Sequence, residues 1–184
     1  DLWEEREVPV GERRGDLGLD PLGVAARHGG PTFLDAASLT VVDRALGLPG
    51  VRSLTIDTTP YTDAGTSDAR ELAAGLATGV AYLRALIGHG VALAEALRSL
   101  TFTLTADADQ FLTMARFRAA RRLWARVAEA SGADVEDRAP RQHAMTSAAM
   151  LSRWDPWVNM LRSTVAAFAA GTGGADSVTV RPFD

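Results

Sequence analysis

Cysteine is absent from the 184 residues. That excludes disulfides, thiolate zinc or iron–sulfur ligation and a cysteine nucleophile. Lysine is absent as well, so all 19 basic side chains are arginine. Without it there is no Schiff-base chemistry and no Lys-containing phosphate loop. Asparagine occurs only at Asn159, while alanine is abundant. Together these read as the codon footprint of a GC-rich bacterial genome, with a cytoplasmic product expected. No apolar run approaches the ~18 residues a bilayer span requires, so no crossing helix is expected. Excess charge is also scarce: 19 basic against 23 acidic residues leave −4, and no basic block marks a nucleic-acid surface. What is present is a hydrophobic share of 47%, normal for a folded domain or a piece of one. The chain opens on Asp-Leu-Trp with no Met or leader pattern and stops after a strand-like run, so both ends are expected to be cuts in a longer polypeptide.

Short β-like runs alternate with long helical ones, which predicts βα units around a mainly parallel sheet. Residues 1–13 read as irregular. A strand end and turn are expected over 16–21, then helices over 21–28 and 34–47, and a strand over 51–58. Residues 59–67 read as a loop. A long helix over 67–87 is expected to bury Leu72, Leu76, Val80 and Leu83. A short helix over 93–99 leads to a strand over 100–104. The helix over 108–130 is expected to turn Phe111, Met114, Ala115, Leu123 and Val127 inward and its arginines outward. Residues 133–140 read as a polar connection and 141–148 as a strand. Asp155-Pro156 pairs an N-capping carboxylate with the residue that suits the first helical turn. Val158, Leu161, Val165 and Phe168 are expected on that helix's inner face. Ser177 to Val180 forms the last strand. The total is roughly four βα units and a terminal strand.

Candidate chemistry is sparse. His28 and His89 precede glycines and read as helix C-terminal residues, where a cation is mildly favoured. His143 differs: a strand over 141–147 would place it at the C-terminal end, where α/β folds hold ligands. Three scattered histidines give no metal signature. There is no Gly-x-Ser-x-Gly elbow, and Gly171-Thr172-Gly173-Gly174 follows a helix instead of opening one. Asp57, Asp63 and Asp68 cluster after a strand; loop capping is the ordinary reading, with Asp57 facing a pocket as the alternative. The arginines of 116–126 read as a solvated face, with phosphate binding as the alternative.

Longer motifs say more. Phe117-Arg118-Ala119-Ala120-Arg121-Arg122-Leu123-Trp124-Ala125-Arg126-Val127 resembles a helix of the methylmalonyl-CoA mutase family. So do Asp155-Pro156-Trp157-Val158-Asn159-Met160-Leu161-Arg162 with the following Gly-Gly-Ala-Asp-Ser-Val-Thr-Val, and the segment from Asp63-Ala64-Gly65 to Glu71-Leu72. Their order and spacing fit over roughly residues 50–184; Leu17 to Gly23 matches less distinctively. The resemblance implies an α/β fold, a partial (β/α)8 TIM barrel of about strands four to eight, with 1–184 a segment of one acyl-CoA mutase barrel domain. The family's separate cobalamin domain, with its Asp-x-His-x-x-Gly motif, is missing from this chain.

The departures from the family pattern decide the functional expectation. A Tyr-His pair of the catalytic subunit is replaced by Thr59-Pro60, and Pro60 offers no proton. The preceding family Glu is Asp63. Arginines associated with CoA fall at Gly50 and at Ser99, the latter beside Arg98. His-x-Gln becomes His143-x-Met145. This resembles the small, non-catalytic subunit of the heterodimeric enzyme. The resemblance therefore implies no catalytic residue, with Thr59, Pro60 and Met145 degenerate and His143 the residual candidate. Arg98 and His143 remain the substrate-contact candidates, and no metal or cofactor site is expected. The partner would be a homologous large subunit, in a complex that uses adenosylcobalamin to interconvert methylmalonyl-CoA and succinyl-CoA. Two alternatives stand beside it: a divergent acyl-CoA mutase using His143, and a CoA-binding regulatory module. The isolated segment is expected to self-associate through open sheet edges.

Overall fold

The computed structural model describes residues 2–30 and 34–184. Helix α1 (Leu2–Glu5) and a 3-10 turn at Val10–Glu12 precede β1 (Gly15–Leu19) and α2 (Pro21–His28). Then come α3 (Ala36–Leu46), β2 (Val51–Asp57), α4 (Thr59–Asp63), α5 (Asp68–Gly88), α6 (Leu93–Arg98) and β3 (Leu100–Ala106). The rest is α7 (Gln110–Ala130), a 3-10 turn at Val135–Asp137, β4 (Arg141–Thr146), α8 (Pro156–Gly173) and β5 (Ser177–Thr179). All five strands are parallel and lie side by side in sequence order. The sheet curls into a half-barrel with helices on its outer side, so the partial-barrel expectation holds.

Alternation along the strands sorts the side chains between two layers. Leu54, Ile56 and Phe102 face the helices and are buried there with Tyr82, Leu86 and Trp124, and Leu104 is buried with Phe117 and Ala166. Thr55, Thr101, Thr103, His143 and Ser177 line the concave side. A closed barrel ordinarily fills that side with Val, Ile and Leu. Threonine keeps the β-branched backbone preference but leaves hydroxyls and open space.

Helix ends follow their local chemistry. Asp20, Asp35, Asp109 and Asp155 each accept a backbone N–H at the start of α2, α3, α7 and α8. Helix α8 ends on Gly174 in the left-handed region at φ 99°, where a side chain would be strained.

Several expected faces are rotated. In α5 the most buried line is Glu71, Gly75, Thr78, Gly79, Tyr82, Leu83 and Leu86, so Leu83 is buried as expected while Leu72, Leu76 and Val80 flank the line. In α7 it is Thr113, Arg116, Phe117, Ala120, Trp124 and Ala128, while Phe111 and Leu123 are exposed. In α8 it is Asn159, Ser163, Ala166, Ala169, Ala170 and Gly173, and Val158, Leu161, Val165 and Phe168 point outward. The common cause is close approach. A Cβ on Gly79 would sit 2.7 Å from the Trp124 ring, and one on Gly173 would sit 3.1 Å from Phe117 Cβ. Small residues therefore take the seam in α8, and Gly79 of α5 makes room for the Trp124 ring of α7. Two irregular readings are also corrected: 59–67 contains α4, and 1–13 contains α1 and a 3-10 turn. Helix α5 is, by length and composition, apolar enough to cross a membrane, contrary to the expectation above. Here its buried line packs on the sheet and on α7 as a core helix.

Candidate functional site

The concave face has two ends. At the C-terminal end of the strands, Asp57 closes β2 and α4 begins at once, with Pro60 in its first turn, where no N–H is needed. Asp57 Oδ1 accepts the Thr59 N–H at 2.9 Å, so its capping role is real. Arg27, from the last turn of α2, reaches over to Asp57 Oδ2 at 2.9 Å and donates to Thr59 Oγ1. It also lies 3.9 Å from Asp63. Arg181, beyond β5, lies 3.7 Å from the same Asp63 carboxylate and 3.2 Å from Met145 Sδ. A bridge of alternating charge thus spans the end of the sheet from the β1 side to the β5 side.

Buried polar groups support this end from below. Asp20 Oδ2 accepts the Asp57 N–H at 2.9 Å, and its other oxygen accepts from Tyr82 Oη. Burial raises the Asp20 carboxyl above its ordinary value, and burial with the Asp20 bond raises the Tyr82 phenol. Between β2 and β3, Glu71 Oε1 accepts from Thr58 Oγ1 at 2.6 Å and from the Thr105 N–H at 2.8 Å. Arg116 stands 3.2 Å from Glu71 Oε2, 2.9 Å from Asp107, and also pairs with Asp68. Both Glu71 and Arg116 are almost fully buried. Arg116 is therefore not part of a solvated face, because three carboxylates from other segments converge on it. Desolvation opposes its charge and those carboxylates outweigh the penalty, leaving its pKa raised.

The N-terminal end is an open cavity of about 750 Å³, with Arg14, Arg52, Arg98 and Arg141 at its mouth and His143 and Ser177 further in. Arg52 donates to the Leu100 carbonyl at 3.2 Å, and burial plus the nearby Arg141 charge lower its pKa. Arg98 pairs with Asp137 at 3.0 Å. The Thr101 hydroxyl is buried and has no hydrogen-bond partner. His143 holds the third position of β4 instead of its C-terminal end, which is the correction to the placement expected above. Its Nδ1 lies 2.9 Å from Ser177 Oγ, and burial lowers its pKa below the usual imidazole value.

The remaining expected positions are structural in their contacts. A Cβ on Gly50 would come within 2.2 Å of the Arg13 carbonyl, so no side chain fits there. Ser99 is buried, donates to the Ala96 carbonyl at 2.8 Å, and its own carbonyl accepts the Ser53 and Leu54 N–H groups. His28 ends α2, and His89 lies 3.0 Å from Asp43 on the outer side. Among the described residues, no three His, Asp or Glu side chains converge as a metal site. The imidazoles lie on separate elements, one of them engaged with Asp43 and one with Ser177. This donor set does not fit a corrinoid cobalt. Sequence reasoning missed Arg27, Arg181, Asp20, Tyr82 and Glu71 and misread Arg116. Only Glu71 and Asp20, inside the quoted segments, carried a usable signal.

Residues 34–184 match the family model described as methylmalonyl-CoA mutase. The chain belongs to the methylmalonyl-CoA mutase family. The methylmalonyl-CoA mutase small subunit of Streptomyces virginiae is 55% identical over 185 residues, covering 100% of this chain and 30% of that protein. The probable small subunit of Mycobacterium tuberculosis is 48% identical over 169 residues, or 92% of this chain and 27% of that protein. The small subunit of Propionibacterium freudenreichii subsp. shermanii is 43% identical over 182 residues, or 99% of this chain and 28% of that protein. The chain thus spans under a third of the length of these mutase relatives.

Proposed function

We propose that residues 1–184 are a segment of one acyl-CoA mutase-type barrel domain, within the small subunit of a methylmalonyl-CoA mutase complex in the cytoplasm of a GC-rich bacterium. In this reading the segment is a catalytically degenerate scaffold for a homologous large subunit. Cobalamin is held elsewhere in the complex, which isomerises methylmalonyl-CoA and succinyl-CoA. One observation carries the reading. Most positions departing from the family's catalytic or CoA-binding pattern hold structural contacts: Thr59 accepts from Arg27, Asp63 lies between Arg27 and Arg181, Ser99 caps α6, Met145 meets Arg181, and at Gly50 no side chain fits. A guanidinium and a carboxylate occupy the end where a reacting thioester would need a free proton donor. The test is an assay of the full-length small subunit with adenosylcobalamin and methylmalonyl-CoA. No turnover is expected alone, with activity returning when the large subunit is added. Turnover from the small subunit alone overturns the reading in favour of a divergent mutase acting through His143.

A second reading, retained ligand binding, rests on the other end. Arg52 and Arg141 form no close ion pair among the described residues, with Asp16 and Asp176 offsetting their charge only in part, beside the unpaired Thr101 hydroxyl. Together with Arg98 and His143 they suit the phosphate-bearing part of CoA. Calorimetry of the full-length subunit with CoA should give saturable heat; a flat titration removes this reading. The isolated segment, with β1 and β5 as edges, is further proposed to self-associate, and a monodisperse monomer in the ultracentrifuge removes that proposal.

A further inference from the structure

We propose that the outer face of α8, with the loop that leads into it, is the seat of a different polypeptide whose surface is an apolar ridge edged by carboxylates. The inference rests on the scaffold reading above and names where on this chain the partner binds.

Helix α8 has its apolar side turned away from the sheet. Trp157 is 69% exposed, Leu161 64% and Phe168 59%, one below another along the helix. Trp154, in the preceding loop, is 96% exposed. Neither position results from a loose segment. The Trp154 N–H donates to Ser152 Oγ at 3.2 Å. Buried Asn159 holds that loop through the Ser152 N–H at 2.8 Å and the Ser152 carbonyl at 2.7 Å, and it holds the C-terminal segment through the Phe183 carbonyl at 3.0 Å. The two indoles are thus presented on a fixed support, and rigid exposed aromatics are what interface centres are made of.

Area and charge select the occupant. Aromatic side chains carry about 150–250 Å² each, so these four residues expose on the order of 500 Å². That is at the upper end of what a monomer ordinarily leaves uncovered and is most of the roughly 800 Å² one partner contributes to a standard interface. The rim is cationic although the chain carries −4. Arg118 reaches the Thr172 carbonyl, one turn beyond Phe168; Arg162 lies on α8 beside Asn159; Arg153 adjoins Trp154 with no ion pair among the described residues. The nearby carboxylates Asp155 and Asp109 are committed to capping α8 and α7, which leaves three arginines against the exposed Asp184 beside Phe183, whose ring lies 6.4 Å from Trp157. A second copy would set arginine against arginine. A surface edged with Asp and Glu would neutralise them.

Hydrogen exchange on the full-length small subunit, alone and with its large subunit, tests the assignment. Peptides over 152–168 should slow at least tenfold only in the mixture. Arg118→Glu combined with Arg153→Glu, both on exposed side chains, should weaken association at least tenfold while leaving the far-UV spectrum unchanged. Equal protection in the small subunit alone overturns the inference, because its own chain then covers the strip. Concentration-dependent dimers of the small subunit that Leu161→Glu dissolves overturn it in favour of a second copy. A complex that forms with 152–168 unprotected overturns it and leaves the scaffold reading standing, whereas failure of the two subunits to associate removes both.

Discussion

At the C-terminal end of the half-barrel, Arg27 and Arg181 share the carboxylates of Asp57 and Asp63, and the Glu71–Arg116 group lies buried beneath. At the N-terminal mouth, burial and the Arg141 charge lower the Arg52 pKa against a partial offset from Asp16 and Asp176, and a threonine hydroxyl lies unpaired. The same residue types are thus ion-paired at one end, although Glu71 Oε2 and Arg116 Nε keep no hydrogen bond there, and stand without a close ion pair among the described residues at Arg52 and Arg141. Saturated charge braces a fold; uncompensated charge costs stability and is what an anionic ligand would relieve.

Four substitutions would break or sharpen that contrast. The largest effect belongs to Arg116→Ala, which strands Glu71 in the interior and should cost about 3–5 kcal/mol in urea unfolding. A loss below 1 kcal/mol would mean that water reaches the cluster. Arg27→Ala removes a partly exposed pair and should cost only about 0.5–1 kcal/mol. At the other end the sign reverses: Arg141→Gln should stabilise by a few tenths of a kcal/mol, roughly the scale of exposed charge pairs. That gain should fade in ~1 M salt, where the screening length is about 3 Å. If Arg141→Gln destabilises at low salt, the mouth is not electrostatically strained.

The smallest effect is the pH dependence of His143. Its folded pKa lies below the ordinary 6.5 because burial disfavours the cation. As pH falls through 6.5 the unfolded chain takes the proton first, so stability drops. His143→Gln should flatten the pH 7 to 5 stability profile relative to the parent. Parallel profiles would show that the imidazole is solvated in the folded state.

The strands and the α8 start were legible because their signals are local. Asp155-Pro156 caps α8 as the dipeptide alone implies, and the parallel order follows from alternation. The faces of α7 and α8 were not legible from hydrophobicity, since that pattern assumes the apolar side meets the sheet. In α8, close packing at Gly173 places small residues there instead, and in α7 the buried line is set by Phe117 and Trp124, the latter received by Gly79 of α5. Arg116 was misread for a related reason. Its burial depends on Asp68, Glu71 and Asp107, and no helical period of α7 reports on carboxylates of other segments. At the site, the contacts that Arg27 makes with Thr59 and Arg181 with Met145 were not legible, because only folding brings the two arginines there.

The grip of Arg27 on Thr59 and of Arg181 on Met145 has a historical side. If these are vacated positions recruited as acceptors, as the scaffold reading has it, putting back a family residue would displace a guanidinium and leave its neighbours unmatched. Under the scaffold reading, reversal would need several coordinated changes at once, so the route back to independent turnover is closed to single steps.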